Sequence, residues 1–174
     1  MSSQPVSEFP DWTSELARLH DQPLRRYAYS LCRDWDMAGD AVQNTWLRFF
    51  RADKADVEPK IPAWLFLVCR RQVVDFLRGK GRMVSDDIDD GIAGSDAAPS
   101  YSAEMSDASR ALFAEVDKLP PAEREVLRLK FQSGLSYAEI ASVTDRSVNA
   151  VGVLLHTAMA TLRKSARLTA ELSA

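Results

Sequence analysis

Residues 135–166 read LSYAEIASVTDRSVNAVGVLLHTAMATLRKSA: a short helical segment, a turn and a longer helix, the form of a helix-turn-helix. Ser136 is placed to cap the first helix, and Glu139, three residues on, to reach back to the N–H of the cap. Asp145 tolerates turn geometry, and Ser147 is a good N-cap for the second helix. Beyond the turn, Val148, Val151, Leu155, Ala158 and Leu162 recur at steps of three and four, which predicts a stripe packed on neighbouring elements. The opposite face carries Asn149, Val153, His156, Thr157 and Ala160. In DNA-binding proteins of this form, the N-terminal residues of that face meet base edges in the major groove. Taken alone, the segment also suits an antiparallel helix pair in a bundle.

Upstream of this segment the pattern stays helical. Gly134 predicts a helix stop, and Pro120-Pro121 an interruption between two helical runs, the first carrying Met105, Ala108, Leu112, Val116 and Leu119. Further back, Thr13–His20 and Pro23–Arg33 read as two helices, with Pro23 in the first turn of the second. Asp36 is expected to cap a helix through Arg51 whose core stripe is Ala38, Val42, Trp46 and Phe49. Residues 52–61 read as a polar loop, and Pro62 restarts a helix that is apolar all round at Trp64-Leu65-Phe66-Leu67-Val68 and therefore buried. No segment alternates as a strand would. The expected fold is all-α, with two small helical domains.

The 174 residues carry a net charge of −3, unevenly spread. Residues 13–83 hold 13 Lys and Arg against 9 Asp and Glu, and 119–174 hold 7 against 5, whereas 84–118 hold 2 against 9. Two mildly basic blocks thus flank an acidic one, so nucleic acid is not excluded as a partner, because binding depends on local patches. Residues 84–104, with Asp86-Asp87, Asp89-Asp90, Gly91, Gly94 and Pro99, have no apolar period and read as a flexible acidic linker. The chain then divides into a tail (1–12), a first domain (13–83), the linker (84–104), a second domain (105–168) and a C-terminal tail (169–174).

Cys32 and Cys69 lie far apart, without metal-ligand spacing, and are expected to be reduced core thiols of a cytoplasmic protein, with no metal and no cofactor. Neither a signal peptide nor a membrane span is indicated, so no membrane insertion is expected. No phosphate loop or nucleophile–His pair argues for an enzyme.

Read together, the two halves resemble the extracytoplasmic-function sigma factors, the small promoter-specificity subunits of bacterial RNA polymerase. Pro23-Leu24-Arg25-Arg26-Tyr27-Ala28, Asp40-Ala41-Val42-Gln43-Asn44-Thr45-Trp46-Leu47-Arg48, Ala63-Trp64-Leu65-Phe66 and Asp75-Phe76-Leu77-Arg78 look like region 2 of that family. Leu119-Pro120-Pro121-Ala122-Glu123-Arg124-Glu125-Val126-Leu127, Gly134-Leu135-Ser136-Tyr137-Ala138-Glu139-Ile140-Ala141 and Leu162-Arg163 look like region 4.

The resemblance implies a set of contacts. Asp40, Gln43, Asn44, Leu47 and Arg48, all off the Trp46 stripe, would dock on the beta-prime clamp helices of core RNA polymerase, and region 4 on the beta flap. Lys54, Lys60, Arg70, Arg71, Arg78 and Arg82 would line the site for the opened minus-ten strand, where bases stack and cations hold phosphates. Asp75 sits one turn from both Arg71 and Arg78, where it can pair with them instead. At the minus-thirty-five element Arg146, Asn149, Val153, His156 and Thr157 would face bases, and Arg124, Lys130, Arg163, Lys164 and Arg167 the backbone.

Two departures stand out. Family members commonly place Asn at Arg71, and Lys, Ser and Arg where this chain has Gly152, Val153 and Leu154, with Arg in place of Thr157. The implied function is promoter-specific initiation under the control of an anti-sigma factor. The alternative is a sigma-like decoy that occupies an anti-sigma factor without initiating.

Overall fold

The computed structural model describes residues 11–81 and 106–172, which contain helices and turns but no strand. The helices are α1 (Asp11–Cys32), α2 (Trp35–Arg51), α3 (Lys54–Val57), α4 (Ile61–Gly79), α5 (Asp107–Asp117), α6 (Pro121–Phe131), α7 (Tyr137–Thr144) and α8 (Val148–Leu172), with a 3-10 turn at Glu58–Lys60. The linker proposed at 84–104 and the tail before Asp11 lie outside the described residues.

The two segments expected on either side of Pro23 are one helix, α1, with Pro23 inside it. An interior proline removes a backbone donor and crowds the preceding turn at a cost of about 3 kcal/mol. Leu24, Tyr27, Ala28 and Leu31 just beyond it are buried, and large apolar side chains return about 1.5–3 kcal/mol each on burial. Several such side chains outweigh one proline, so the helix stays continuous.

Helix α1 ends at Arg33, whose positive φ of 55° turns the chain back, with its N–H donating to the Tyr29 carbonyl at 2.7 Å. The turn makes Asp34 the cap of α2, accepting from the Met37 N–H at 3.0 Å. That bond holds the Asp34 carboxyl below its ordinary range. Asp36, the expected cap, lies instead in the first turn, where a negative charge suits the helix dipole. The stripe Ala38, Val42, Trp46 and Phe49 is buried as its spacing predicts. The expected loop 52–61 is mostly helical, because Asp53 caps α3 through the Ala55 N–H at 3.1 Å and Val57 anchors it in the core.

Helix α4 is the central element, packed on α1 and α2 and also on α7. Leu65, Phe66, Cys69 and Val73 are fully buried along it. Cys32 and Cys69 are unbonded buried thiols, and burial pushes Cys69 up to about 12, so it stays protonated.

The helix-turn-helix forms as its local signals predict. Gly134 adopts φ +68° and lets the Leu135 N–H close onto the Leu129 carbonyl at 3.1 Å. Ser136 Oγ accepts from the Glu139 N–H at 3.2 Å, and Glu139 Oε2 from the Ser136 N–H at 2.8 Å. Asp145 supplies the left-handed turn, and Ser147 Oγ accepts from the Ala150 N–H at 3.1 Å. Helix α8 runs on through Leu172, past the expected start of a tail at 169.

Because two orphan donors depend on this capping box, Ser136→Ala is expected to lower the unfolding free energy by about 1 kcal/mol. Glu139→Gln, which keeps an acceptor, should change it little. Urea titrations of the two variants check both.

The two halves share one apolar core rather than standing apart, with α4 against α7 and α1 against α6. Polar groups stitch the junction. Glu125, 5% exposed, accepts from the Tyr27 hydroxyl at 2.7 Å and from Arg70 Nε at 2.8 Å. Asp117 Oδ1 accepts from Arg33 at 3.2 Å and from Arg128 at 2.7 Å.

Candidate nucleic-acid interface

On α2, Asp40, Gln43, Leu47 and Arg48 are exposed and Asn44 is half-buried. They lie away from the stripe that holds the helix on α1 and α4. Leu47 is 46% exposed although the core is one residue away, and Phe50, three residues on, is partly exposed beside it. Sequence reasoning missed Phe50; its spacing of three from Leu47 was the available signal. The result is a polar face with an apolar end.

The cations assigned to an opened strand divide. Lys54, Lys60, Arg71 and Arg78 are exposed on α3, the 3-10 turn and α4, with Lys54 3.7 Å from Glu58. Asp75 lies exposed between Arg71 and Arg78 but makes no ion pair with either, so the structural role open to it is not taken up. Arg82 is outside the described residues.

Arg70 does not join this group. One residue from Arg71, it is rotated by a quarter of a helix turn, and its side chain is 17% exposed and paired with Glu125. Burial would lower its pKa, but the attraction and hydrogen bonding of Glu125 outweigh burial and raise it. Arg70 is therefore a cation of the junction.

On α8, Asn149, Val153, His156 and Thr157 are exposed on the outward face, while Arg146, just before the helix, is half-buried. Val148, expected in the core stripe, is instead 50% exposed, whereas Val151 and Leu155 further along the stripe are buried. Arg163, Lys164 and Arg167 are exposed further along the helix. Lys130 is half-buried: its Nζ lies 5.4 Å from the centre of the Tyr137 ring and reaches the Leu135 carbonyl at 3.4 Å. Arg124 donates to the Asp117 carbonyl at 2.9 Å, which commits part of its guanidinium to α5. Gly152 is not demanded by packing, since a Cβ there would only meet the Tyr137 ring at 3.8 Å.

Among the described residues no cluster of three or more His, Cys, Asp or Glu could hold a metal ion. None of the described helices is long and apolar enough to cross a membrane.

Comparison with known proteins matches residues 16–83 to the family Sigma-70 region 2 and residues 109–162 to Sigma-70, region 4. The chain is 32% identical over 133 residues to the ECF RNA polymerase sigma factor EcfG of Rhodopseudomonas palustris, covering 74% of this chain and 70% of that one. It is 29% identical over 157 residues to the ECF RNA polymerase sigma factor SigE of Mycolicibacterium smegmatis, spanning 88% of this chain but 61% of that relative's length. Among solved structures, the sigma factor RpoE in complex with the anti-sigma factor NepR from Bartonella quintana superposes with a TM-score of 0.65. There the identity is 25%, over 88% of this chain and 95% of that one.

Proposed function

Because the chain belongs to the ECF RNA polymerase sigma factors, we propose that it binds core RNA polymerase and directs promoter-specific initiation in the cytoplasm, leaving catalysis to the polymerase. The observation that carries this reading is the pairing, on one chain, of an uncovered α2 face with a fully capped helix-turn-helix whose second helix is open to solvent. In this reading Asp40, Gln43, Asn44, Leu47 and Arg48 meet the beta-prime clamp helices, and the second half meets the beta flap. Lys54, Lys60, Arg71, Arg78 and Arg82 hold the minus-ten strand. Arg146, Asn149, Val153, His156 and Thr157 read the minus-thirty-five element, with Arg124, Lys130, Arg163, Lys164 and Arg167 near its phosphates. RpoE has been solved with an anti-sigma factor seated on it, and a partner of that class is the proposed control of this chain.

Run-off transcription with purified core polymerase tests the proposal: start sites should appear only when the chain is added. A second reading, a decoy for an anti-sigma factor, draws support from the absence of any Lys or Arg between Val148 and Leu162. It takes over if no start site appears.

Within the second half, base reading and phosphate anchoring separate experimentally. Asn149 lies in the first turn of α8, where an amide can pair bidentately with adenine, a contact worth about 1–3 kcal/mol of discrimination. Asn149→Ala is expected to weaken holoenzyme binding to a cognate minus-thirty-five duplex by that amount while leaving scrambled DNA nearly unchanged. Lys164→Ala should weaken both duplexes alike and reduce the salt slope by about one. Fluorescence anisotropy at several salt concentrations checks the pair.

A further inference from the structure

From Val148 to Leu162 the recognition helix holds no Lys, Arg, Asp or Glu. Guanine is read in the major groove chiefly by the fork of Arg or the charge of Lys on O6 and N7, and from Val148 onward this face offers neither, which leaves that contact to the half-buried Arg146 just before the helix. Its exposed groups are of another kind. Val148 is 50% and Val153 60% exposed, two apolar side chains open to solvent on the same helix.

The threonines have their hydroxyl donors engaged. The Thr157 hydroxyl donates to the Val153 carbonyl at 3.0 Å, and the Thr161 hydroxyl to the Thr157 carbonyl at 3.1 Å. Each hydroxyl proton is thus spent on the helix's own backbone, so neither threonine has a donor left for a base edge. What Thr157 retains for a base is its methyl group and the acceptor lone pairs of its hydroxyl oxygen.

We infer that α8 reads thymine 5-methyl groups, with Val153 and Thr157 as the contacting residues, Val148 extending the apolar strip at the helix start, and Asn149 pairing with an adjacent adenine. The inference rests on the proposal that this helix enters the minus-thirty-five major groove. It goes further in naming the base class: a core of A·T pairs recognised by methyl contact and adenine pairing, with any guanine confined to the Arg146 end of the helix. Arg163, Lys164 and Arg167, exposed on the same helix beyond the uncharged stretch, supply the attraction to phosphate that the reading face lacks.

The test uses the full-length chain with core polymerase and a pool of duplexes randomised across the minus-thirty-five window. The enriched sequence is rebuilt with deoxyuridine in place of thymidine, one position at a time, which removes only the methyl group. At each contacted position, affinity is expected to fall about fourfold, the factor that matches burial of one methyl-sized group, with the salt slope unchanged. Val153→Ala should erase that difference at one position while far-ultraviolet circular dichroism stays unchanged.

Equal binding of thymidine and deoxyuridine duplexes, or a selected motif centred on guanines, overturns the inference but leaves DNA reading by α8 intact. Failure to enrich any motif in the window removes DNA reading by this helix, and the inference with it.

Discussion

Glu125→Leu is expected to destabilise the folded chain by about 3–5 kcal/mol, the range for breaking a buried ion pair by deleting one member. The carboxylate is the shared acceptor of Tyr27 and Arg70, and leucine leaves a guanidinium with 17% exposure unpaired at the junction of the two halves. The orphaned tyrosine hydroxyl adds its own unmet desolvation. Pairing the change with Arg70→Met should restore most of the stability, because two apolar residues of similar volume substitute for a buried pair at little cost. Urea titration of the two single variants and the double variant forms a double-mutant cycle. If Glu125→Leu costs less than 1 kcal/mol, the junction does not bear on stability. If the double variant is as weak as the single one, packing rather than the orphan charge is responsible.

The second large effect concerns the partner of α2. Asp40→Lys combined with Gln43→Ala is expected to abolish co-purification with core RNA polymerase, lowering affinity by more than a hundredfold. Placing like charges against each other at an interface costs several kcal/mol. Both side chains are exposed and off the buried stripe, so helicity and the urea midpoint should not move, and a loss of binding cannot be charged to misfolding. Leu47→Ala, which removes the apolar end of the same face, should weaken binding without reversing any charge. Retention of the double variant by core polymerase would remove this face from the interface.

The parts of the fold that were legible in the sequence are those decided over three or four residues. The Ser136–Glu139 capping box, the Gly134 stop and the Trp46 stripe each announce themselves within a turn or two, and each formed. What could not be read depends on distant partners or on a single backbone angle. Asp34 and Asp36 are equivalent as letters; the left-handed conformation of Arg33 decides which of them caps α2. Pro23 looks like a boundary until the burial of Leu24 and Tyr27 against other helices is known. Arg70 and Arg71 are neighbours in a basic run, and only Glu125, 55 residues away, shows that they face opposite environments. For the candidate site the exposed face of α2 was readable from spacing alone, whereas the exposure of Val148 was not. Periodicity assigns a residue to a face and carries no information about what covers that face at a given turn.

The Arg70 guanidinium is largely buried and already carries one anion, Glu125. Arg70 lies one residue from the exposed cation Arg71, yet its own charge is engaged by a carboxylate from the other half. A phosphate recruited to Arg70 would compete with Glu125 for its donors, so anion binding there and closure of the junction would be linked equilibria that oppose each other by the same free energy. Each 1 kcal/mol holding Glu125 in place lowers the affinity of the competing phosphate about fivefold. By reciprocity, a phosphate that takes Arg70 loosens the two halves by that factor.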